Sequence, residues 1–417
     1  MLPLGRQVEA ASRSQFRSRK TAGGRPASFF SSPRVFIAGV ALLGALSALA
    51  LASASPPQAP EPEQLFREAS EAQQHGDAAL AVSKYQQLIK LHPEMAAAHA
   101  NLGVVLVSLG RFDEAITQYH IALAEAPDDP ALRLDLGLAY YKKGDFAGAA
   151  AQFAALHKGD PSSVRISTLL GNCQIQLGLI GQALALLEPI EKDNADNIDL
   201  EWALGLALID SGDTREGLER VQKVAEQRQS VEAYQLAANL YLGLTYFDKA
   251  RRDAQAVIRL NPRLPKAYVV LGMVDDYSGD EKSAEEEFEK ALELDPNDLQ
   301  AQVQLGSVFC NERKLDAARQ QLQRALAQDP NSDSALYLLG RVERAQGNLQ
   351  AAVKYLESAE QKNPQWLMPH IELTALYYLL KRPNDGAREK TMVDQLRAEA
   401  RERKADTRVI LPQVPSP

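Results

Sequence analysis

The chain has 417 residues, 45% of them hydrophobic and only 6% aromatic, with 54 acidic side chains against 46 Lys and Arg for a net charge of −8. That length supports two or three globular domains or one extended array, and the hydrophobic content supports a sizeable core. An acidic body excludes a groove for nucleic acid, because phosphate binding needs a positive surface.

Charge is unevenly divided along the chain. Residues 1–34 carry Arg6, Arg13, Arg17, Arg19, Lys20, Arg25 and Arg34 against Glu9 alone, so the remainder is more acidic than the whole. Residues 35–52, VFIAGVALLGALSALALA, hold no charge. As a helix they extend roughly 27 Å, just enough to cross a bilayer. Small-x-small triplets at 50–52 and 52–54 suit a signal peptidase, so 35–54 reads either as a cleaved signal peptide or as a transmembrane anchor. The basic flank keeps the N-terminus in the cytoplasm and sends residues 55–417 across the membrane, to the periplasm if the cell is bacterial. No twin arginine precedes the span, which favours general secretion. Residues 55–61, with Pro56, Pro57 and Pro60, form a stiff linker.

From Pro62 the chain repeats. Residues 96–129, AAAHANLGVVLVSLGRFDEAITQYHIALAEAPDD, read as two short amphipathic helices. Leu102, Gly103 and Leu106 share a face of the first, and Gly110 ends it. Phe112, Ala115, Tyr119 and Ala122 share a face of the second, which Pro127 closes. Gly103 and Ala115 suit a close helix crossing, with Phe112 and Tyr119 filling the gap beside it. The glycine recurs at 137, 171 and 205, then as Ala238, then at 272, 306 and 340. The closing proline recurs at 93, 127, 161, 262, 296, 330 and 364. A small residue recurs near each second-helix start, from Ala81 through Ala149, Ala183, Gly217, Ala250, Ala284 and Ala318 to Ala352.

On these residues the unit resembles the tetratricopeptide repeat, a 34-residue helix–turn–helix. Its usual tryptophan at the fourth position is His99 here. The resemblance covers Pro62 to Lys404, with repeats starting at Pro62, Ala96, Pro130, Val164, Ile198, Val231, Pro265, Leu299 and Asp333, and a cap from residue 367. It implies an all-α fold, a right-handed superhelical solenoid of nine repeats closed by a polar capping helix over 386–404. Residues 405–417 are expected to be a disordered tail. Repeats four and five have Ala195 and Gln229 in place of the closing proline, and repeat five is one residue short, which suggests looser joints and a hinge. Thr245 and Arg313 replace the turn glycine of repeats six and eight, which suggests tightened or tilted pairs.

Nothing in the chain has the spacing of a catalytic or cofactor site. His75, His92, His99, His120, His157 and His370 are scattered without a metal-binding motif, and no phosphate loop, dinucleotide loop or nucleophile elbow occurs. Cys173 and Cys310 stand about four repeats apart, too far for a disulfide, and read as buried helix residues. Acidic runs such as Glu285 to Glu287 read as solvated faces. No catalytic, cofactor or metal site is therefore expected. Some members of the family clamp carboxylates with Lys, Asn and Arg, but the matching positions here include Phe66, Ser70 and Asn101, of which only the asparagine fits.

The resemblance implies protein–protein interaction: a non-catalytic scaffold or assembly factor that binds a peptide or helix of a partner protein, anchored or secreted through residues 35–52. An accessory subunit of a glycan- or polysaccharide-processing enzyme is the alternative. An RNA-binding relative with 35-residue repeats is disfavoured by the period and the acidic body. In the family, positions 2, 5, 9 and 12 of each first helix line the concave groove. Here they are Ala131, Leu134, Leu138 and Tyr141 in repeat three, and Asp199, Trp202, Leu206 and Ile209 in repeat five. Repeat seven gives Lys266, Val269, Met273 and Asp276, and repeat nine Ser334, Tyr337, Arg341 and Arg344. That stripe is apolar at its front and basic at its back, and suits an amphipathic or extended peptide with an acidic group. The other reading is that Leu138, Trp202 and Leu206 thicken the core.

Overall fold

Most first helices start at a short polar side chain that takes over the backbone N–H groups a helix N-terminus leaves free. Asp129, Ser163, Asn197, Ser230, Asp298 and Ser332 all do so. The computed structural model describes residues 61–410, with side chains to 401. The basic segment, the apolar span 35–54, linker residues 55–60 and residues 411–417 lie outside the described residues. Every regular element among the described residues is an α-helix, and the helices fall into consecutive pairs. The chain divides into two compact units between Val224 and Ala225.

The first unit holds α1 (Pro62–Gln74) with α2 (Ala78–Leu91), α3 (Ala96–Ser108) with α4 (Phe112–Glu125), and α5 (Pro130–Lys143) with α6 (Phe146–Gly159). It continues with α7 (Val164–Gln176), α8 (Ile180–Glu191), α9 (Ile198–Ser211) and α10 (Thr214–Arg228), whose last residues belong to the second unit. The second unit pairs α11 (Val231–Gly243) with α12 (Phe247–Leu260), and α13 (Pro265–Ser278) with α14 (Glu281–Leu294). Then come α15 (Leu299–Asn311), α16 (Leu315–Gln328), α17 (Asp333–Ala345), α18 (Leu349–Lys362), α19 (Leu367–Leu379) and α20 (Pro383–Ile410). Within each unit, helices pack on their neighbours in the chain, the arrangement of an all-α helix-pair solenoid. α20 continues into the stretch expected to be a tail, as far as Ile410.

The glycine period marks where the two helices of a pair touch. A Cβ on Gly103 would stand 2.7 Å from Tyr119 Cε1, on Gly137 2.5 Å from Phe153 Cε1, and on Gly272 2.6 Å from Phe288 Cε1. Leu187, Leu322 and Leu356 occupy the same place over Gly171, Gly306 and Gly340. Each glycine therefore seats a bulky side chain from sixteen residues further on, and those rings are fully or almost fully buried. In repeat six, where Ala238 replaces the glycine, the residue sixteen on is the small Ala254, and both are buried.

A second regularity joins successive repeats. At five joints the side chain at the fourth position of a first helix donates a hydrogen bond to the carbonyl of the proline that closes the previous repeat. His99 Nε2 reaches Pro93 at 2.9 Å, Arg133 Nη2 reaches Pro127 at 2.8 Å and the Tyr268 hydroxyl reaches Pro262 at 3.0 Å. Gln302 Nε2 and His370 Nε2 do the same to Pro296 at 2.8 Å and Pro364 at 2.9 Å. Repeat five has Glu201 at this place, which only accepts. There Lys223 Nζ spans the gap, donating to the Ala195 carbonyl at 2.6 Å and to Glu201 Oε1 at 2.7 Å. Arg220 holds Glu191 beside it. The joint without proline is tied by these cations.

Thr245 and Arg313 both adopt φ of +63°, close to the +74° of Gly110 and +82° of Gly279. The turns keep the left-handed form that glycine takes, at the cost of local strain for a residue with a Cβ.

Candidate functional site

In the first unit the stripe divides between open and covered residues. Leu134, Leu138 and Tyr141 are half-buried on α5 and pack against a core of Ala149, Phe153, Leu169, Leu170 and Cys173. The Tyr141 ring meets Phe146 edge-on at 5.3 Å. Trp202 on α9 is half-buried, Leu206 is buried, and Asp199 is half-buried. Ile209 lies against the close approach of α9 to α10, where a Cβ on Gly217 would stand 2.8 Å from its Cγ1. It is thus a packing residue at the crossing.

In the second unit Val269 and Met273 are each 3% exposed and Tyr337 is 4% exposed, so these three offer almost no surface to a partner. Gln300 of the next repeat donates to Met273 Sδ at 3.3 Å, and the Trp366 ring, at the end of repeat nine itself, lies 4.7 Å from that of Tyr337. Burial pushes the Tyr337 phenol up to about 12. Lys266 is exposed, while Asp276 and Ser334 are half-buried. Arg344 pairs with Glu372. Arg341 is half-buried and, like the exposed Lys266, has no ion pair or hydrogen bond among the described residues. Burial raises the thiol of Cys310, and the Arg341 charge opposes that rise in part.

Extending the ninth-position offset to repeats four and six adds two polar stripe residues. Asn172 and Asn239 hold that place on α7 and α11, half-buried. Asn172 has no hydrogen-bond partner among the described residues, and its amide is suited to an extended backbone. The positions that match the carboxylate clamp serve the interior instead. Ser70 lies 3.2 Å from the Tyr85 hydroxyl, which donates to Gln73 and pairs with Asn101, while the Phe66 ring meets Tyr85 at 6.0 Å.

Beside Leu134 on α5, burial pushes the Asp135 carboxyl up to about 6, with Asp129 adding to the rise and Arg165 opposing it. A raised carboxyl favours the folded state at low pH and loses that advantage as pH climbs from about 4 through 6. Asp135→Asn is therefore expected to stabilise the protein at pH 8 by about 1–2 kcal/mol and to leave it unchanged near pH 3.5. Melts of both proteins at the two pH values check this, and an equal gain at both would refute it.

Tetratricopeptide-repeat family models match residues 66–130, 140–209, 231–264, 265–298 and 303–365, together well over half of the chain. The chain belongs to the tetratricopeptide repeat family. Such repeats are protein-interaction modules. No curated protein is significantly similar in sequence. Among solved structures, a tetratricopeptide repeat protein from Parabacteroides merdae is 19% identical, covering 60% of this chain and 98% of that one with a TM-score of 0.48. The Cut9–Hcn1 hetero-tetramer of APC/C is 16% identical over 81% of this chain and 87% of that one, with a TM-score of 0.47. YrrB, described as having an unusual peptide-binding site, is 23% identical over 44% and 95%, with a TM-score of 0.36. Likenesses at this level say nothing of partner or process. Among the described residues no helix is long and apolar enough to cross a membrane.

Proposed function

We propose that the protein is a non-catalytic scaffold that holds a peptide or helix of a partner protein along its first-helix stripe. The observation that carries this is the half-buried apolar set Leu134, Leu138 and Tyr141 with Trp202, in the same unit as the unpartnered Asn172 amide. Side chains of this kind offer apolar area at modest further desolvation cost, and an amide can pair with a peptide backbone. Leu206, buried on the same helix as Trp202, belongs to the core of that unit. Arg341 adds a cation for an acidic group. The basic lead-in and apolar span at 35–52 support display outside the cytoplasm, which a reporter fused after Pro417 tests by its activity there.

The decisive experiment places glutamate at Leu138 and Trp202 together. Partner capture from membranes is expected to be lost, with far-UV helicity and melting nearly unchanged. A double variant that unfolds, or that still captures the partner, removes the stripe from consideration.

A further inference from the structure

His370 and His99 hold the same fourth position in their repeats, and their partners differ in one informative way. Each donates Nε2–H to the carbonyl of the preceding proline at 2.9 Å. A carbonyl only accepts, so this bond fixes a proton on Nε2. For His99, Nδ1 faces Gln118 at 2.7 Å, and an amide can turn its NH2 group toward that nitrogen. For His370, Nδ1 faces the Glu389 carboxylate at 2.8 Å, and no rotation of an ionised carboxylate supplies a hydrogen. Lone pairs at that distance repel, so a positive centre has to lie between them, either a proton or a metal ion.

A third donor stands beside this pair. Glu360 Oε1 lies 3.9 Å from His370 Nδ1, and one ligand atom from each of the three residues fits within 4.8 Å of the others. The side chains of His370 and Glu389 are 1% and 3% exposed, whereas Glu360 is 29% exposed and leaves an entry for an ion. The geometry points to a site for a divalent transition-metal ion, held by His370 Nδ1, Glu389 and Glu360, that clamps the final helix α20 onto α18 and α19.

Zinc bonds to such ligands are about 2.0–2.2 Å long, which sets neighbouring tetrahedral ligand atoms about 3.4 Å apart. The 2.8 and 3.9 Å separations lie on either side of that value, so small side-chain shifts close the site. The charge of the set is compatible with this ion: two carboxylates beside a neutral imidazole match one divalent cation, while a lone proton leaves one negative charge for Arg388 to offset. Arg388 sits 3.2 Å from Glu389 with 66% of its side chain exposed. The Nε2–H bond to Pro364 is the outer contact that orients a metal-bound imidazole. One imidazole with two carboxylates suits zinc and its neighbours, while calcium and magnesium favour oxygen ligands alone. The expectation of no metal site rested on motif spacing, and these three residues lie on three different helices.

The test is calorimetric titration of the full-length, tag-free protein with ZnCl2, alongside melts with and without the metal. One tight equivalent and a raised melting temperature are expected from zinc, and no effect from MgCl2. Glu389→Gln recreates the His99–Gln118 pair, so it is expected to melt like the metal-free protein and to lose the tight equivalent. Glu360→Gln should weaken binding by at least the roughly 10–100-fold that loss of an outer partner costs. CoCl2 should give visible bands that Glu389→Gln abolishes. Absence of a tight equivalent, or one that both variants leave intact, overturns the proposal and assigns a proton to the bridge. If Glu389→Gln melts early, Glu360→Gln decides by the same criterion.

Discussion

Replacing Gly217 with alanine is expected to destabilise the first unit by about 3 kcal/mol, at the upper end of overpacking effects. Sequence reasoning alone gives the opposite sign. Ala115, Ala149 and Ala183 hold the equivalent place in the preceding repeats, and glycine to alanine inside a helix ordinarily gains about 1 kcal/mol. In repeat five, however, the partner helix also presents a glycine, Gly205, and the two backbones close on each other. A Cβ on Gly217 would stand 2.6 Å from the Gly205 carbonyl oxygen and 2.9 Å from the Ile209 nitrogen. At most other crossings the obstacle is a side chain that can rotate aside. Here it is main chain, so α9 has to move away from α10. Denaturant unfolding followed by circular dichroism measures the loss, and hydrogen exchange should locate it in α9 and α10. Stability equal to or above that of the parent would show that the crossing yields.

Arg220→Met is expected to cost about 2–4 kcal/mol, below the full penalty for breaking a deeply buried pair because part of the network meets water. The Arg220 side chain is 18% exposed and grips Glu191 with both prongs, Nε to Oε1 and Nη2 to Oε2, each at 3.1 Å. Its Nη1 lies 3.1 Å from Glu216, and its Nε lies 3.9 Å from Glu201, which is only 5% exposed. Methionine keeps most of the apolar stem and removes the charge. Glu191 then loses its fork, and Glu201 keeps Lys223 alone. Exchange in α8, α9 and α10 should quicken together, and Glu191→Gln in the Arg220→Met background should restore part of the loss. Arg220→Lys is not expected to substitute, since an ammonium cannot reproduce the planar fork. A cost under about 0.5 kcal/mol would place the pair among exposed ion pairs of little weight.

The helix-pair fold was legible because its tightest requirement falls on one residue type at one interval. Gly103, Gly137 and Gly272 each have an aromatic ring over them, so any larger residue is excluded and the period stands out. The position-four bond was hidden because His, Arg, Tyr and Gln all perform it, and a pattern of residue types does not register a shared donor. The turn positions of Thr245 and Arg313 read as departures, yet the backbone there keeps the glycine conformation. Accessibility of the stripe was not legible either. Equivalent positions are half-open at Leu138 and covered at Met273, because cover depends on what the following repeat lays across, as Gln300 does over Met273. That information lies outside the repeat being read.

The bond from a fourth-position side chain to the previous proline carbonyl divides five of the joints between two units, donor in one and acceptor in the other. A duplicated unit therefore arrives with both halves in the right order, and an array can lengthen by whole units without a new connector. Among the described residues, repeats four, six and nine lack the bond, with Ser167, Tyr234 and Leu336 at the fourth position, and repeat five replaces it. Glu201 would meet a proline carbonyl as a second acceptor, and Lys223 supplies the missing hydrogen to Ala195 from its own unit. That repeat carries a private adaptor, so drift at Lys223 is constrained in a way that drift at His99 or Gln302, replaceable by any donor of similar reach, is not.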